Sequence, residues 1–282
     1  MQLQFRIEKL CAAPPSSTLT KSAFAAFNDF LNALEEGDIR AAERVQGVWR
    51  AVAWVKQGIL FGFRIGRIVD MSVPAKAKGA RMSFVDKSTF PARQFAVKEG
   101  IRVVPGGSSI RRGAFIGKGV ICMPPMFVNV GAWVGAGTMI DSHALVGSCA
   151  QIGERVHLSA AAQIGGVLEP INASPVVIED DVLVGGNCGV YEGTVVRARA
   201  VLGAGVVLTR GTPVYDLVRE RVLRGSGTEP LEIPENAVVV PGARSVTSAW
   251  GAKHGLSLQT PVIVKYRDEK TDTATALEAW LR

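Results

Sequence analysis

IDSHAL (residues 140–145), VGSCAQ (146–151) and IGERVH (152–157) are three consecutive six-residue units, each opening on a branched aliphatic side chain. The same beat runs back to Ile110 and on through Ile164, breaks, and resumes from Ile178 to Pro213. Sixteen units result, and fifteen of their first positions are Ile, Leu or Val; the exception is Cys122. The fifth positions are small or apolar too, from Ala114 and Val120 through Ala150 and Cys188 to Val206. A six-residue period matches neither an amphipathic helix (about 3.6) nor a strand alternating every ~2 residues. It is the pattern of a hexapeptide β-helix, in which each unit is one short strand and a turn. Three units make a coil, so roughly five coils are expected, sharing one apolar column that no coil could bury alone. The break at 169–175 (EPINASP) shifts the beat by two residues and must leave the coil as a loop.

Outside the beat the chain reads differently. Phe24, Phe27, Phe30/Leu31 and Leu34 recur at helical spacing, with Ser22 as N-cap and Gly37 as stop. Residues 44–51 turn at Gln46-Gly47 as a small hairpin. Residues 54–64 (WVKQGILFGFR) form a second apolar helix, weakened by Gly58 and Gly62. Past Tyr215, residues 234–241 (PENAVVVP) and 260–266 (TPVIVKY) read as strands and 274–281 as a terminal helix. Together they would cap a solenoid that otherwise ends in an open sheet edge.

Composition narrows the function classes. The 282 residues are 48% hydrophobic, enough for a large core, but no apolar run is long enough to span a membrane. Arg6, Glu8 and Lys9 interrupt the first twenty residues, so no secretory signal is expected. Lys and Arg outnumber Asp and Glu by 32 to 25 but are scattered, which favours small anionic partners over nucleic acid. Four cysteines without a Cys-X-X-Cys pair read as small buried hydrophobes in a reducing cytoplasm. Only three histidines occur, and His254 lies outside the solenoid, so a three-histidine zinc site is not expected and no metal is assigned.

Hexapeptide β-helices are commonest among acyltransferases with acyl-CoA or acyl carrier protein donors. Within them the chain resembles the tetrahydrodipicolinate N-succinyltransferases of bacterial lysine biosynthesis. The matching stretches are RVVP (102–105), GAFI (113–116), GTMID (137–141), VGSCAQIG (146–153), VHLS (156–159), GGVLEP (165–170), IED (178–180) and EG (192–193). Residues 61–65, 84–87 and 261–265 also fit. The resemblance implies that the β-helix is left-handed, against the usual crossover preference. The expected fold is then mainly β: an α-rich N-terminal domain (1–104), a left-handed parallel β-helix (105–214) and a small C-terminal β cap (215–282). It also implies a homotrimer with the active site between neighbouring prisms. The reaction would move succinyl from succinyl-CoA, a co-substrate rather than a bound cofactor, to the nitrogen of tetrahydrodipicolinate, with addition of water.

That acceptor is a cyclic imine with two carboxylates, and the amine it yields must lose a proton as it attacks the thioester. A positioned base is therefore needed. Asp141 stands at the family's catalytic and substrate-binding aspartate; its alternative reading is a turn former. Arg102 stands at the family's substrate-contacting arginine, and a guanidinium can grip a carboxylate with two parallel bonds. The family's second functional glutamate falls at Gly189 here. Glu192 is the nearest carboxylate that could replace it; alternatively Asp141 works with water and backbone dipoles. Gly185, Ala204 and Gly205 lie along the path implied for CoA; Lys253 and Lys265 of the cap read first as solvated surface lysines, with contact to the CoA phosphates as the alternative. His157 reads as a hydrogen-bonded interface residue rather than a base. Two other readings remain: a tetrahydrodipicolinate N-acetyltransferase with the same acceptor, and a non-catalytic hexapeptide scaffold.

Overall fold

A computed structural model describes residues 2–14, 21–74, 81–227 and 229–268. The six-residue beat becomes a three-sided prism. Strands of two residues repeat along three parallel sheets, one per face of a left-handed β-helix. The first face starts at Arg102–Val103 and continues through Ile121–Cys122, Met139–Ile140, His157–Leu158, Leu183–Val184 and Val201–Leu202. The second runs from Ser109–Ile110 to Val207–Leu208, and the third from Phe115–Ile116 to Glu232–Ile233. The second residue of every strand points inward, and from Ile110 to Leu208 each of these is buried. Burial of a Val, Leu or Ile side chain is worth about 1.5–3 kcal/mol, so the column is the main support of the prism.

Register shows how the interruption is absorbed. Phe127 pairs with Leu145 and Leu145 with Gln163, eighteen positions apart each time. Gln151 pairs with Val177, twenty-six apart, because the segment around 169–175 leaves the coil. Ile152 and Ile178 stay paired and buried on either side of it.

The ladder exceeds the boundaries expected for it. It begins at Arg102, and its last coil is completed by strands that follow an excursion from Thr209. Glu232–Ile233 pairs with Val195–Val196, and Ala237–Ser245 with Val201–Leu202. Ala237–Ser245 then folds back antiparallel on Ser257–Tyr266, which also pairs with Val214–Asp216. The helix expected at 274–281 lies outside the described residues.

The N-terminal domain holds helices α1 (Gln2–Ala12), α2 (Lys21–Glu36) and α3 (Ala53–Ile65), and a hairpin of Ala42–Val45 and Val48–Ala51. The hairpin turns at Gln46 (φ 50°) and Gly47 (φ 82°), the two left-handed positions a tight two-residue turn requires. Helix α2 buries Ala23, Ala26, Phe27, Phe30, Leu31 and Leu34. Phe24 is 41% exposed and does not belong to that stripe: it follows Ala23 by one residue and faces away. Ser22 lies inside the first turn of α2 rather than capping it. Gly58 and Gly62 prove to be packing requirements. A Cβ at Gly58 would fall 2.7 Å from Phe30, and one at Gly62 2.3 Å from Phe27. The helices approach closely because both residues lack a side chain.

This domain clasps the third face. Gly37 sits against the stacked rings of Phe115 and Trp133, whose centroids are 3.9 Å apart. Arg40 lies 3.8 Å over Trp133 and donates to Gln151 Oε1 at 3.0 Å. Burial pulls the pKa of Arg40 down to about 10 while Asp180 and Glu43 pull it up, which leaves it a cation at neutral pH. Trp49 Nε1 and Arg197 both donate to Glu179 Oε1 at 2.9 Å. Lys56, fully buried on α3, donates to the carbonyls of Ala173 (2.6 Å) and Pro170 (3.4 Å), pinning the excursion loop. Burial lowers its pKa.

Candidate active site

Most corners of the prism hold a residue with left-handed φ, and many of these are not glycine, His143, Ala161 and Asn187 among them. The corner between the first and second faces stacks Asp141-Ser142-His143, Ser159-Ala160-Ala161, Gly185-Gly186-Asn187 and Gly203-Ala204-Gly205. Its backbone is continuous: Ala161 N–H donates to Ser142 O at 2.8 Å, Asn187 to Ala160 at 3.0 Å and Gly205 to Gly186 at 2.9 Å. Asp141 therefore heads an edge of small residues. From its coil to that of Gly203 is three steps, about 14 Å at ~4.8 Å per strand.

Asp141 follows inward Ile140 and points out, with its side chain 33% exposed. Its Oδ1 accepts the Ser142 N–H at 2.7 Å, the local bond that makes Asp a good corner former. Its Oδ2 lies 3.9 Å from His157 Nε2. The turn-forming role and the chemically available carboxylate thus coexist in one side chain.

Of the other residues read from sequence, Gly185, Ala204 and Gly205 share the Asp141 edge. Gly185 has a packing reason to be glycine, since a Cβ would fall 2.6 Å from Ala204 N. Arg102 is exposed at the start of the first face. It pairs with Ile121, which pairs with Met139, so it stands two ladder steps from the Asp141 strand.

Glu192 is not brought to Asp141 within the chain. It occupies a corner between the second and third faces (φ 53°), and its Oε2 accepts the Arg210 N–H at 3.1 Å. Gly189 is buried beneath Tyr191. A Cβ on Gly189 would meet Tyr191 Cε2 at 2.5 Å and its hydroxyl at 2.9 Å, and one on Gly165 would meet the same ring at 2.7 Å. The phenol ring lies where a side chain at 189 would begin. Tyr191 went unremarked in the sequence; the signal was a column of Gly147 and Gly165 ending at an aromatic residue. Its ring lines a pocket of about 630 Å³ with Glu169, Glu192, Thr209 and Arg210. Lys265 pairs with Asp268 at 3.2 Å, and Lys253 ends the short helix Ala249–Lys253 on the projecting arm.

The cysteines are free thiols, and Cys122, Cys149 and Cys188 are buried. Burial pushes Cys122 and Cys149 up to about 12, Lys56 countering it slightly at Cys149, so neither is a nucleophile at neutral pH. Among the described residues no group of three or more His, Cys, Asp or Glu is placed to hold a metal ion, and no helix is long and apolar enough to cross a membrane.

Comparison with known proteins gives consistent matches. The family model for the N-terminal part of tetrahydrodipicolinate N-succinyltransferase matches residues 2–65, and that for the hexapeptide repeat of succinyl-transferase matches 175–210. Curated proteins named 2,3,4,5-tetrahydropyridine-2,6-dicarboxylate N-succinyltransferase align along most of the chain. That of Polynucleobacter asymbioticus is 43% identical over 92% of this chain and 89% of its own. The Bradyrhizobium diazoefficiens protein is 42% identical over 94% and 92%, and the Idiomarina loihiensis protein 40% over 89% and 86%. A solved Campylobacter jejuni chain, described as a 2,3,4,5-tetrahydropyridine-2-carboxylate N-succinyltransferase, superposes with a TM-score of 0.56 at 16% identity. It is covered to 64%, with 89% of this chain matched, and bears on the fold alone.

Proposed function

The chain belongs to the tetrahydrodipicolinate N-succinyltransferase family, and from that premise we propose that it transfers succinyl from succinyl-CoA to the nitrogen of tetrahydrodipicolinate. Water adds across the cyclic imine and the ring opens, leaving an amine and a ketone. The amine attacks the thioester carbonyl, its proton passes to the Asp141 carboxylate, and CoA leaves, giving N-succinyl-2-amino-6-oxopimelate. Succinyl-CoA enters as co-substrate, and no resident cofactor is invoked. The observation that carries this reading is the outward, partly exposed carboxylate of Asp141 at the head of an edge of small residues.

Placement supports the remaining roles. Arg102, on the same face, pairs with a carboxylate of the acceptor. The thiol arm of CoA lies along the edge through Gly185, Ala204 and Gly205, toward the cap that carries Lys253. Glu192, with its carboxylate engaged by the Arg210 amide, anchors a corner. The working form is a homotrimer. Outward Ile121, Met139, Leu183 and Val201 on the first face and Leu145 and Val207 on the second offer apolar contact to a neighbouring prism. Free, buried thiols fit a cytoplasmic setting.

The decisive assay is CoA release from succinyl-CoA and from acetyl-CoA, each with and without tetrahydrodipicolinate. Acceptor-dependent release that is faster from succinyl-CoA is expected. Preference for acetyl-CoA would favour the acetyltransferase, and no release from either donor would sink the catalytic reading. Sedimentation equilibrium at three times the subunit mass checks the trimer.

A further inference from the structure

We propose that His157 is the positioning residue of the Asp141 carboxylate during acyl transfer, an inference that rests on the reading of Asp141 as the base. Parallel pairing sets His157 opposite Met139, one coil further along the first face. Side chains alternate about inward Ile140 and Leu158, so Asp141 and His157 emerge on the same side of the sheet.

The two groups divide their surroundings unequally. Asp141 Oδ1 is held by the Ser142 N–H, which fixes the plane of the carboxylate and turns Oδ2 toward His157 Nε2, 3.9 Å away. The imidazole is the inner partner, with 15% of its side chain exposed against 33% for the carboxylate. A ligand on the outer surface therefore meets the carboxylate first and the imidazole behind it. The remaining gap is the kind that closes by a small rotation when a site tightens on its ligand.

The arginine beside the His157 strand is engaged elsewhere. Arg155, at the corner leading into the His157 strand, binds Asp181 at 2.8 and 3.0 Å and Glu154 at 2.7 Å. Met139 and Leu183, the neighbours of His157 in its column, are apolar. In the reaction the amine nitrogen gives its proton to the carboxylate. The adjacent imidazole holds the second carboxylate oxygen in place, the resulting acid releases the proton to solvent from its own partly exposed side, and the electron pair of the broken C–S bond leaves with CoA. Without His157 the carboxylate keeps its Ser142 contact but loses the partner that fixes its second oxygen.

The test pairs kinetics with a readout that needs no turnover. In the full-length protein, His157→Leu should lower kcat by roughly 10–100-fold while KM for succinyl-CoA stays within about twofold. His157→Gln, which retains an N–H donor, should recover part of the loss. In an Asp141→Asn background, His157→Leu should cost less than about a further twofold, because the two groups act as one unit. Equal proportional losses in both backgrounds, or an unchanged kcat for the single variant, would overturn the proposal. If His157→Leu does not fold, His157→Asn takes its place. Independently, NMR of the three imidazoles should show the His157 signal moved by Asp141→Asn and the His254 signal unmoved; a stationary His157 signal would also overturn the pairing. A wild-type protein that released no CoA would remove the acyltransfer reading, and the imidazole spectra would still decide whether His157 and Asp141 are coupled.

Discussion

The third face of the prism and the edge headed by Asp141 are made from the same six-residue unit, yet one is closed and the other open. On the third face large outward side chains recur: Phe115, Trp133, Gln151, Glu179 and Arg197. Each is engaged by the N-terminal domain or by a neighbouring outward side chain. On the Asp141 edge the stacked corners shrink to Ser-Ala-Ala, Gly-Gly-Asn and Gly-Ala-Gly, and the cap meets the last of them, where Gln259 Nε2 donates to Gly205 O at 3.4 Å. Inward residues are interchangeable between the two. The difference teaches that the repeat supplies a frame, while outward side-chain size decides which surface is bound by its own chain and which is left for ligands.

The sharpest way to break that comparison is Asp141→Asn. The Asn oxygen still accepts the Ser142 N–H, so stability should stay within about 0.5 kcal/mol while kcat falls by about 10²–10⁴-fold. Chemical denaturation alongside steady-state kinetics checks it; a parallel loss of stability would mean the edge is structural after all. Lys56→Met should do the reverse. It leaves the carbonyls of Ala173 and Pro170 without their buried donor, costing about 2–4 kcal/mol in urea unfolding.

A smaller effect concerns acid. Burial works to raise the pKa of Glu179, but hydrogen bonds from Trp49 and Arg197 outweigh it and hold the carboxyl below its ordinary 4.5. Its stabilising contribution is therefore complete above about pH 4.5 and is lost as pH falls through the lowered value in the folded state. Glu179→Gln should lower Tm at pH 7 and flatten its further decline below pH 4.5. Last, Glu192→Gln keeps an acceptor for the Arg210 amide and should leave both stability and kcat within about twofold. A much larger fall in kcat would bring that corner into the chemistry and blur the contrast.

What could be read from the sequence follows the range of the forces involved. The inward column was legible because burial selects the same residue types at a fixed local period, and the α2 stripe for the same reason. Asp141 and the Gly185–Ala204–Gly205 edge were legible through motif resemblance combined with that period. The partnerships that close the third face were not. Arg40 meets Gln151, Lys56 meets Ala173 and Trp49 meets Glu179 across more than a hundred residues, and no local pattern encodes such distances. Gly58 and Gly62 looked like weak points because propensity ignores the rings of Phe30 and Phe27 that they admit. Phe24 looked like core because a spacing of three fits it to Phe27, while the buried stripe is fixed by where α3 lies. Tyr191 was hidden because its ring folds back over its own strand.

The reversal of direction between Ala237–Ser245 and Ser257–Tyr266 has a consequence for how many molecules such a chain can recruit. A parallel ladder of like rungs carries no instruction to stop, and a bare last rung would template another protein's strand, as a growing fibre does. Here the final rung of the first face is met by a strand running the opposite way from the same polypeptide. Growth of that sheet along the prism axis is thereby terminated at this end.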